Sequence, residues 1–479
     1  MSERSADEPL PPDAATALTS AWGRGIFSTG AALLGAALVY FAFTADVRDP
    51  VHLPLGLLIL FLAGLPSLLW ARAGRPSLPI FEVLLLTTAN AYAFPLLNGH
   101  QELIFYIPGD ITTAALAVVT YQLTAIAAYL GTSGRASTHP FWREEVVTGE
   151  MGRWMTYGMA LNTAYILAST FTEIIPASLE SILRAVFFGI GIVSTFITSR
   201  RLGAGELTRG ERLFFAANLA LQCSGLIVTL FLVGAVSVLL LALVGYVSSR
   251  GRIPLVVCTL VLLTVAVLHH GKPEMRARYW QDGRYVPTLA EVPGFFREWL
   301  GHGLTFEEEG ETRRMTSRLI ERTSLFHIMC LVVSTTPHQQ PFLDGETYRH
   351  IPAQFVPRLL WPDKPLGHVS TSRLSVYYGL QREEDTATTT IAFGMITEAF
   401  ANFGFYGVAV IGALVAFCLK KAQCWGRDSP LFSYGGIVLV LLLAWSFQVE
   451  FTLSIWLASF YQACIAVLAA PVLLKRILG

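Results

Sequence analysis

The stretch LPLGLLILFLAGLPSLLWA, residues 53–71, contains no charged side chain. A helix rises about 1.5 Å per residue, so about 20 apolar residues cross the ~30 Å hydrocarbon core of a bilayer. The same pattern recurs along the chain and predicts about twelve spans. They lie near residues 26–45, 53–71, 79–98, 111–131, 154–172, 181–199, 212–229, 232–249, 253–269, 404–420, 431–449 and 453–474. The sequence therefore predicts an all-α polytopic integral membrane protein, with 212–249 open to interpretation as two spans or one long tilted helix.

The composition supports this fold class. Of 479 residues, 53% are hydrophobic and 14% are charged, whereas an ordinary soluble domain has about 45–50% and about 25%. This excludes a standard soluble enzyme. The 34 Lys and Arg residues balance the 34 Asp and Glu residues, so no overall positive field would attract nucleic acid. The six cysteines show neither a disulfide framework nor zinc-site spacing.

The distribution of Lys and Arg predicts the orientation in the membrane, because cytoplasmic loops are enriched in both. Basic residues occur in alternate short loops, whereas the loops 99–110, 173–180 and 450–452 have none. This pattern places both termini in the cytoplasm and divides the chain into four parts. They are a cytoplasmic tail (1–25), an N-terminal transmembrane bundle (26–269), one large extracytoplasmic or periplasmic loop domain (270–390) and C-terminal transmembrane helices (391–479).

A stripe of arginines marks the large loop. The segment ETRRMTSRLIERTSLFHIMCLVVST, residues 311–335, is predicted to form one helix with Phe326 on its apolar face. Arg314, Arg318 and Arg322 recur every fourth residue and would follow one side of it. Such a stripe could bind a diphosphate or a lipid headgroup through bidentate hydrogen bonds. The alternative is a solvated face paired with neighbouring glutamates.

A proline-rich stretch follows, PHQQPFLDGETYRHIPAQFVPRLLWPDKP, residues 337–365. Its prolines predict an extended, rigid path. Arg358, Trp361 and Lys364 would be presented from that path, and rigidly held donors suit the stabilisation of a developing anion. The alternative is a structural cap anchored at the lipid interface by its tryptophan.

Three further ionisable residues are candidates for the site. His338 and His350 flank the acidic DGE of residues 344–346. A neutral imidazole could accept a proton from a sugar hydroxyl, or it could simply form surface hydrogen bonds. Arg184 lies about two turns inside a predicted span. It either extends to the interface or donates to an anionic lipid-linked substrate.

Glu398 and Asn402 are four residues apart and are predicted to share one face of a helix. Glu398 interrupts a long uncharged run, and an ionisable residue at membrane depth is a functional hypothesis by default. It could be the proton acceptor, or it could form a salt bridge with Arg358. A buried ion pair that orders the fold is the structural alternative.

Several classes of site are missing from the sequence. There is no GxxxxGK[ST] or GxGxxG phosphate loop, no HExxH zinc motif and no GxSxG nucleophile elbow. The acidic run 307–311 lacks the spacing of an oxygen cage for a divalent cation. We therefore predict neither a metal nor a cofactor.

The segments FLDGETY (342–348), FVPRLLWPDKP (355–365) and ITEAFANFGFYG (396–407) resemble bacterial repeat-unit polymerases of the Wzy type, the O-antigen and capsule polymerase family. That family has a segment of the form PRxLWPxKP and a later one of the form ExxxNFGxxG. The matching residues are Pro357, Arg358, Leu360, Trp361, Pro362, Lys364 and Pro365, then Glu398, Asn402, Phe403, Gly404 and Gly407. Thr397 stands where the family often has Gly, and the resemblance is confined to the C-terminal part of the chain.

The resemblance implies a metal-independent glycosyltransferase with a GT-C-like fold in the bacterial inner (cytoplasmic) membrane. It would polymerise undecaprenyl-diphosphate-linked oligosaccharide repeat units into O-antigen, capsule or exopolysaccharide on the outer face of that inner membrane. Its partners would be these lipid-linked glycans, the bilayer and a chain-length regulator, without nucleic acid. Together, the sequence patterns above and the resemblance predict Arg358, Glu398, His338 and His350 as catalytic residues. They predict Arg184, Arg314, Arg318, Arg322, Trp361, Lys364 and Asn402 as substrate-binding residues.

Two other functions remain as alternatives. An O-antigen ligase would use the same donor and transfer the glycan to a lipid acceptor. A transporter or flippase of lipid-linked glycans would belong to a different class. Transporters tend to have internal repeats and broken helices near the middle of the membrane. The two halves of this sequence show no convincing self-similarity, and their polar residues concentrate in the loop.

Overall fold

The computed structural model of the protein describes residues 12–74, 77–144, 151–172, 174–175, 177–279, 286–305, 324–356, 361, 363–365, 367–387, 390–430 and 433–478. Within these residues every regular element is a helix. The α-helices are α1 (Pro12–Thr44), α2 (His52–Arg72), α3 (Ile80–Thr88), α4 (Phe94–Leu97), α5 (Pro108–Gly131), α6 (Pro140–Arg143), α7 (Met151–Phe171), α8 (Ala177–Ala204), α9 (Arg209–Ile227), α10 (Leu232–Arg250), α11 (Leu255–Tyr279), α12 (Val292–Leu304), α13 (Phe326–Thr335), α14 (Ile351–Gln354), α15 (Val369–Tyr377), α16 (Gly394–Trp425), α17 (Tyr434–Trp445) and α18 (Leu453–Leu478). A π-helical segment (Ala89–Ala93) joins α3 to α4, and 3₁₀ turns cover Gln101–Phe105 and Glu384–Ala387.

Seven helical segments of the described chain are long and apolar enough to cross a membrane. They are Gly25–Thr44, His52–Arg72, Ile80–Leu97, Pro108–Gly131, Leu232–Arg250, Leu255–Tyr279 and Gly394–Trp425. The predicted class, a helical membrane protein, agrees with this finding. The remaining predicted spans coincide with α7, α8, α9, α17 and α18, so a total of twelve stays a prediction. The stretch 212–249 forms two helices, α9 and α10, because the chain turns between them at Leu230, whose φ is 62°.

Helices α5 and α16 pack against each other in the main hydrophobic core and run parallel. A β-carbon on Gly412 would lie 2.8 Å from the Tyr121 carbonyl oxygen, so the helix backbones nearly touch there. Further along both helices, the Tyr129 hydroxyl lies 2.9 Å from Gln423 Oε1. Later residues of α5 contact later residues of α16. The first turns of both helices therefore lie at one end of the bundle, and their last turns lie at the other.

The predicted loop 270–390 is partly integrated into the bundle. Helix α11 continues through Pro273 to Tyr279, beyond the predicted end of the span at residue 269. Helix α12 then folds back on α11, where the close approach of Gly271 and Gly303 permits the contact. Trp299 is fully buried there, and its Nε1 donates to Leu268 O at 2.6 Å.

Helix α13 corrects the prediction of one continuous helix over 311–335. Residues 324 and 325 are not helical, and α13 begins at Phe326. The Leu325 amide instead donates to the carbonyl of Ala91, in the π-helical segment, at 3.0 Å. Phe326, predicted on the apolar face, is fully buried, and so are Met329 and Cys330 of the same helix. This part of the loop therefore lies in the same hydrophobic core as α5 and α16.

Helix α16 has a break. Phe403 and Gly404 have non-helical backbone angles, with φ of 57° and ψ of −143° at Gly404. A side chain rarely tolerates such angles, so a glycine is needed there. The break divides α16 into a short first part that contains Glu398 and Asn402 and a long second part that continues to Trp425.

Candidate functional site

A turn of the long loop, residues 342–348, packs on the first part of α16; we call it the docked turn. Leu343 N donates to Ala401 O at 3.0 Å. Asp344 N donates to Asn402 O at 3.2 Å. In an unbroken helix these two carbonyls would accept amides four residues later. The break that follows immediately in α16 therefore provides the acceptors that hold the docked turn.

Asn402 connects the helix to the docked turn through its side chain. It is fully buried. Its Oδ1 accepts the amide of Gly345 at 3.0 Å. Its Nδ2 donates to Thr347 Oγ1 and to Glu398 O, both at 2.8 Å. The last contact confirms that residues 398 and 402 share one helix face, as their spacing predicted.

The centre of the docked turn adopts left-handed backbone angles. Gly345 has φ of 87°, and Asp344 has φ of 45°. A residue other than glycine pays about 1–2 kcal/mol for this conformation, although Asp and Asn tolerate it best. The contacts to Asn402 compensate for that cost. The Asp344 side chain is exposed, and its carboxylate forms no hydrogen bond or salt bridge with another described residue. The turn therefore presents a carboxylate outward from a rigid backbone.

Glu398 lies beneath the docked turn and is fully buried. Its Oε2 accepts the amide of Leu453, the first residue of α18, at 2.7 Å. Its Oε1 has no hydrogen-bond partner in the described part of the chain. The Thr347 hydroxyl is a polar neighbour of this carboxyl group. The predicted partner Arg358 lies outside the described residues. Glu398 thus joins α16 to α18, and one of its oxygens remains available.

Four charged or titratable side chains form a cluster on the outer side of the docked turn. Arg373 binds the Glu346 carboxylate through two bonds, Nε to Oε1 at 3.1 Å and Nη2 to Oε2 at 3.2 Å. Arg349 Nη2 lies 3.6 Å from Glu346 Oε1, and its Nε donates to His350 Nε2 at 3.3 Å. The Arg373 hydrogen bonds lower the pKa of Glu346 below its ordinary value. The surface therefore has one neutralised carboxylate and two fixed guanidinium groups.

Helix α15 supports the docked turn from behind. Ser370 Oγ donates to Thr347 O at 2.9 Å. The Tyr377 hydroxyl donates to Pro341 O at 2.8 Å. The Tyr378 hydroxyl lies 2.9 Å from Thr336 Oγ1, and burial raises the pKa of Tyr378 to about 12. These contacts hold both ends of the segment that contains the docked turn.

The structure places the other predicted site residues in different settings. His350 joins the charged cluster, whereas His338 is exposed and interacts electrostatically with Asp110 at the start of α5. Trp361 is 44% exposed. Arg184 is exposed on α8. Arg314, Arg318, Arg322 and Arg358 lie outside the described residues.

Lys364, predicted to be presented as a donor to an anion, binds carbonyl groups of its own loop instead. It is buried, and its Nζ donates to Val356 O at 2.7 Å and to Gln354 O at 3.2 Å. It therefore closes the loop on itself through main-chain carbonyls. Pro352, earlier in the same proline-rich stretch, lies in the first turn of the short helix α14. The prediction of an extended path is therefore wrong at that proline.

The sequence interpretation did not select Asp344, Arg349 or Arg373. A signal for the first was present, because an Asp-Gly pair between apolar residues is typical of a turn with positive φ. No local pattern connects Arg373 with Glu346, since 27 residues separate them.

Comparison with known proteins adds no relative: no family profile, curated protein or solved structure matches the chain.

Proposed function

We propose that the protein is a membrane glycosyltransferase that polymerises undecaprenyl-diphosphate-linked oligosaccharide repeat units. The observation that carries the proposal is the contact between the docked turn and the first part of α16. One is the segment ITEAFANFGFYG, which contains the motif ExxxNFGxxG, and the other is FLDGETY, which precedes the motif PRxLWPxKP in the region that resembles the Wzy-type family. They are about fifty residues apart in sequence, yet Asn402 binds Gly345 and Thr347 directly.

The reaction requires little covalent help from the protein, because a diphosphate is already a good leaving group. The enzyme must stabilise the negative charge that develops as the anomeric bond breaks, and it must accept a proton from the attacking hydroxyl. Arg358 is assigned the first task on the strength of its motif. Arg349 and Arg373, fixed at the surface of the docked turn, are suitable for orienting anionic or hydroxyl-rich parts of the substrate.

The proton acceptor is better assigned to Asp344 than to Glu398. A general base must come within hydrogen-bond distance of the hydroxyl that it deprotonates. Asp344 is exposed and held in a rigid turn. Glu398 is fully enclosed, so we assign it a positioning role, through Asn402, beneath that turn. His350 Nε2 already accepts a hydrogen bond from Arg349, which makes it less suitable as the base.

One observation favours the transporter or flippase as a second candidate. Helix α16 is broken at Phe403 and Gly404, close to the buried Glu398. Discontinuous helices with a buried ionisable residue are typical of substrate sites in transporters. In this protein, however, the docked turn uses the carbonyls freed by the break, and fewer of them are left for a transported substrate.

The test is complementation of a strain that lacks the gene, with surface and lipid-linked glycans separated on gels. The wild-type gene should restore a ladder of polymer lengths, whereas Arg358→Ala should yield a single repeat unit at an unchanged level of membrane protein. Arg382→Ala removes the same charge from an exposed position of the same loop and should behave as wild type. Wild-type chain lengths with Arg358→Ala would contradict the assignment. Full-length polymer that accumulates on its carrier without export in the deletion strain would favour the transporter.

A further inference from the structure

A cavity of 260 Å³ lies at the end of the bundle opposite the docked turn. It lies where α2, α5 and α16 end and α3 begins, the end that the sequence predicts to be cytoplasmic. Its apolar wall includes Leu69, Phe81 and Leu130, and its polar residues include Glu82 and Lys420. The proposed glycosyltransferase site does not include this cavity, so a ligand of the cavity does not depend on that function.

The floor of the cavity is a hydrogen-bonded network around Glu82, which is buried. The Tyr129 hydroxyl lies 2.9 Å from Glu82 Oε1 and also 2.9 Å from Gln423 Oε1. The orientation of the Gln423 amide follows from its Nε2, which donates to Leu78 O at 2.7 Å. A tyrosine hydroxyl has one hydrogen and cannot donate fully to two acceptors. Both contacts are satisfied if Glu82 is protonated and donates to Tyr129, which then donates to Gln423.

The rim of the cavity is cationic. Lys420 Nζ lies 4.2 Å from the centroid of the Tyr129 ring. Arg427 also lines the cavity; it is exposed and lies two residues beyond the end of α16. Neither side chain forms a salt bridge within the described part of the chain. The two cations outnumber the single carboxyl group of Glu82, so the cavity has a net positive charge whether or not Glu82 is protonated. The charge complementarity therefore favours an anionic ligand.

The walls connect the cavity with the lipid phase. Leu69 is 37% exposed and Leu130 is 62% exposed, so apolar surface continues outward from the rim. Trp70, whose Nε1 donates to Ser77 O at 2.8 Å, also lines the cavity, and tryptophan is enriched at membrane interfaces. The volume is slightly below the range of about 300–1,000 Å³ that encloses a whole drug-sized ligand. The cavity therefore has room for a headgroup, and acyl chains could lie outside along the leucines.

We propose that this cavity binds the phosphate headgroup of an anionic phospholipid of the surrounding membrane. Lys420 and Arg427 would donate to the phosphate, and Leu69 and Leu130 would contact the acyl chains. Removal of both charges should weaken binding by at least about tenfold, since a charge-assisted hydrogen bond is worth more than 1.4 kcal/mol.

The experiment measures lipid binding to the purified full-length protein by native mass spectrometry and by thermal unfolding. The probes are phosphatidylglycerol, phosphatidylcholine and inorganic phosphate. Wild type should bind phosphatidylglycerol in preference to phosphatidylcholine, and Lys420→Gln with Arg427→Gln should lose that preference. Lys421→Gln is the matched control, because it removes a neighbouring charge whose Nζ donates to Ser133 O at 2.9 Å. It should keep the preference.

Several results would overturn the proposal. An equal loss of preference in Lys421→Gln would indicate general attraction to a basic surface. Stabilisation by inorganic phosphate as strong as by phosphatidylglycerol would indicate a site for a free anion.

Glu82→Gln tests the charge of the cavity floor separately from the role of the two cations. If Glu82 is protonated, the variant keeps a neutral floor and should leave phosphatidylglycerol binding unchanged. A gain of about tenfold in that variant would show that Glu82 is charged and that the floor repels anions.

Discussion

A buried carboxyl group lies at each end of α16: Glu398 belongs to its first part, and Glu82 of α3 packs beside its last turns. The two carboxyl groups differ in how completely they are hydrogen-bonded. At one end, Tyr129 and Gln423 bond to Glu82, and each of these residues has a partner in the same network. At the other end, Glu398 Oε1 has no partner among the described residues. The nearby buried hydroxyls of Thr397, Thr452 and Tyr348 likewise lack one in the described chain.

This difference suggests different roles for two residues of the same type. A buried polar atom without a hydrogen bond costs about 1–3 kcal/mol, so a protein rarely keeps several together without a reason. The complete network at Glu82 is suited to holding α3, α5 and α16 together. The incomplete network at Glu398 is suited to a site whose partners arrive with a substrate or with a rearrangement of the loop. Four predictions test this contrast, in decreasing order of expected effect.

The largest effect is expected from Asp344→Asn. Asparagine tolerates the left-handed backbone of this position, so the docked turn should keep its shape while its exposed carboxylate is lost. Loss of a general base typically costs about 10²–10⁴ in rate, and polymer formation in isolated membranes should fall by that factor. Glu82→Gln, in α3 beside the opposite end of α16, should leave the rate unchanged. Equal rates in the two variants would remove the proposed difference between the ends.

Asn402→Ala should release the docked turn. It removes the bonds to Gly345, Thr347 and Glu398 and should reduce the free energy of unfolding by about 3 kcal/mol. Limited proteolysis should also cut the loop near residues 342–348 much faster.

Asn218→Ala is the matched control for this change. It also removes a buried asparagine, which bonds to Thr163 at 2.9 Å, and should reduce stability without exposing the loop. Comparable cleavage in both variants would refute the role assigned to residue 402.

Gly404→Ala tests the break in α16. Alanine would have to adopt the backbone φ of 57° at this position, and its β-carbon would lie 3.1 Å from the Phe342 ring. The free energy of unfolding should therefore fall by about 2 kcal/mol. Gly379→Ala has a similar φ of 70° but open space around it, and it should cost about 1 kcal/mol. Thermal unfolding in detergent compares the two. Equal losses would indicate that the docked turn does not depend on the break.

The smallest effect concerns the pH dependence of the surface cluster. Because Arg373 lowers the pKa of Glu346, this carboxylate stabilises the fold above its ordinary pKa of 4.5, and the contribution disappears as the pH falls through the lowered value. Glu346→Gln should therefore be less stable than wild type at pH 7, by about 0.5 kcal/mol. The difference should shrink as the pH falls below 4.5 and through the lowered pKa of Glu346. A constant difference across this range would exclude the ion pair as its cause.

Part of the candidate site follows from local pattern. The spacing of Glu398 and Asn402 predicts a shared helix face, because i and i+4 are neighbours on any α-helix. The positions of the prolines in residues 337–365 predict the contacts of that loop less well. Lys364 is in a motif that suggests an anion site, yet it binds carbonyls of its own loop, and only the folded path of the loop decides that.

Length and hydropathy act within a single segment, so they were enough to predict a helical membrane protein, the positions of many of its helices and the carboxyl group that interrupts an apolar run. Three other features required the folded molecule. Helix α13 lies in the core, the docked turn binds the carbonyls at the break in α16, and Glu82 shares its network with Gln423. These features depend on groups that are distant in the chain. Their pairing follows from the burial of polar atoms that must find partners wherever packing places them.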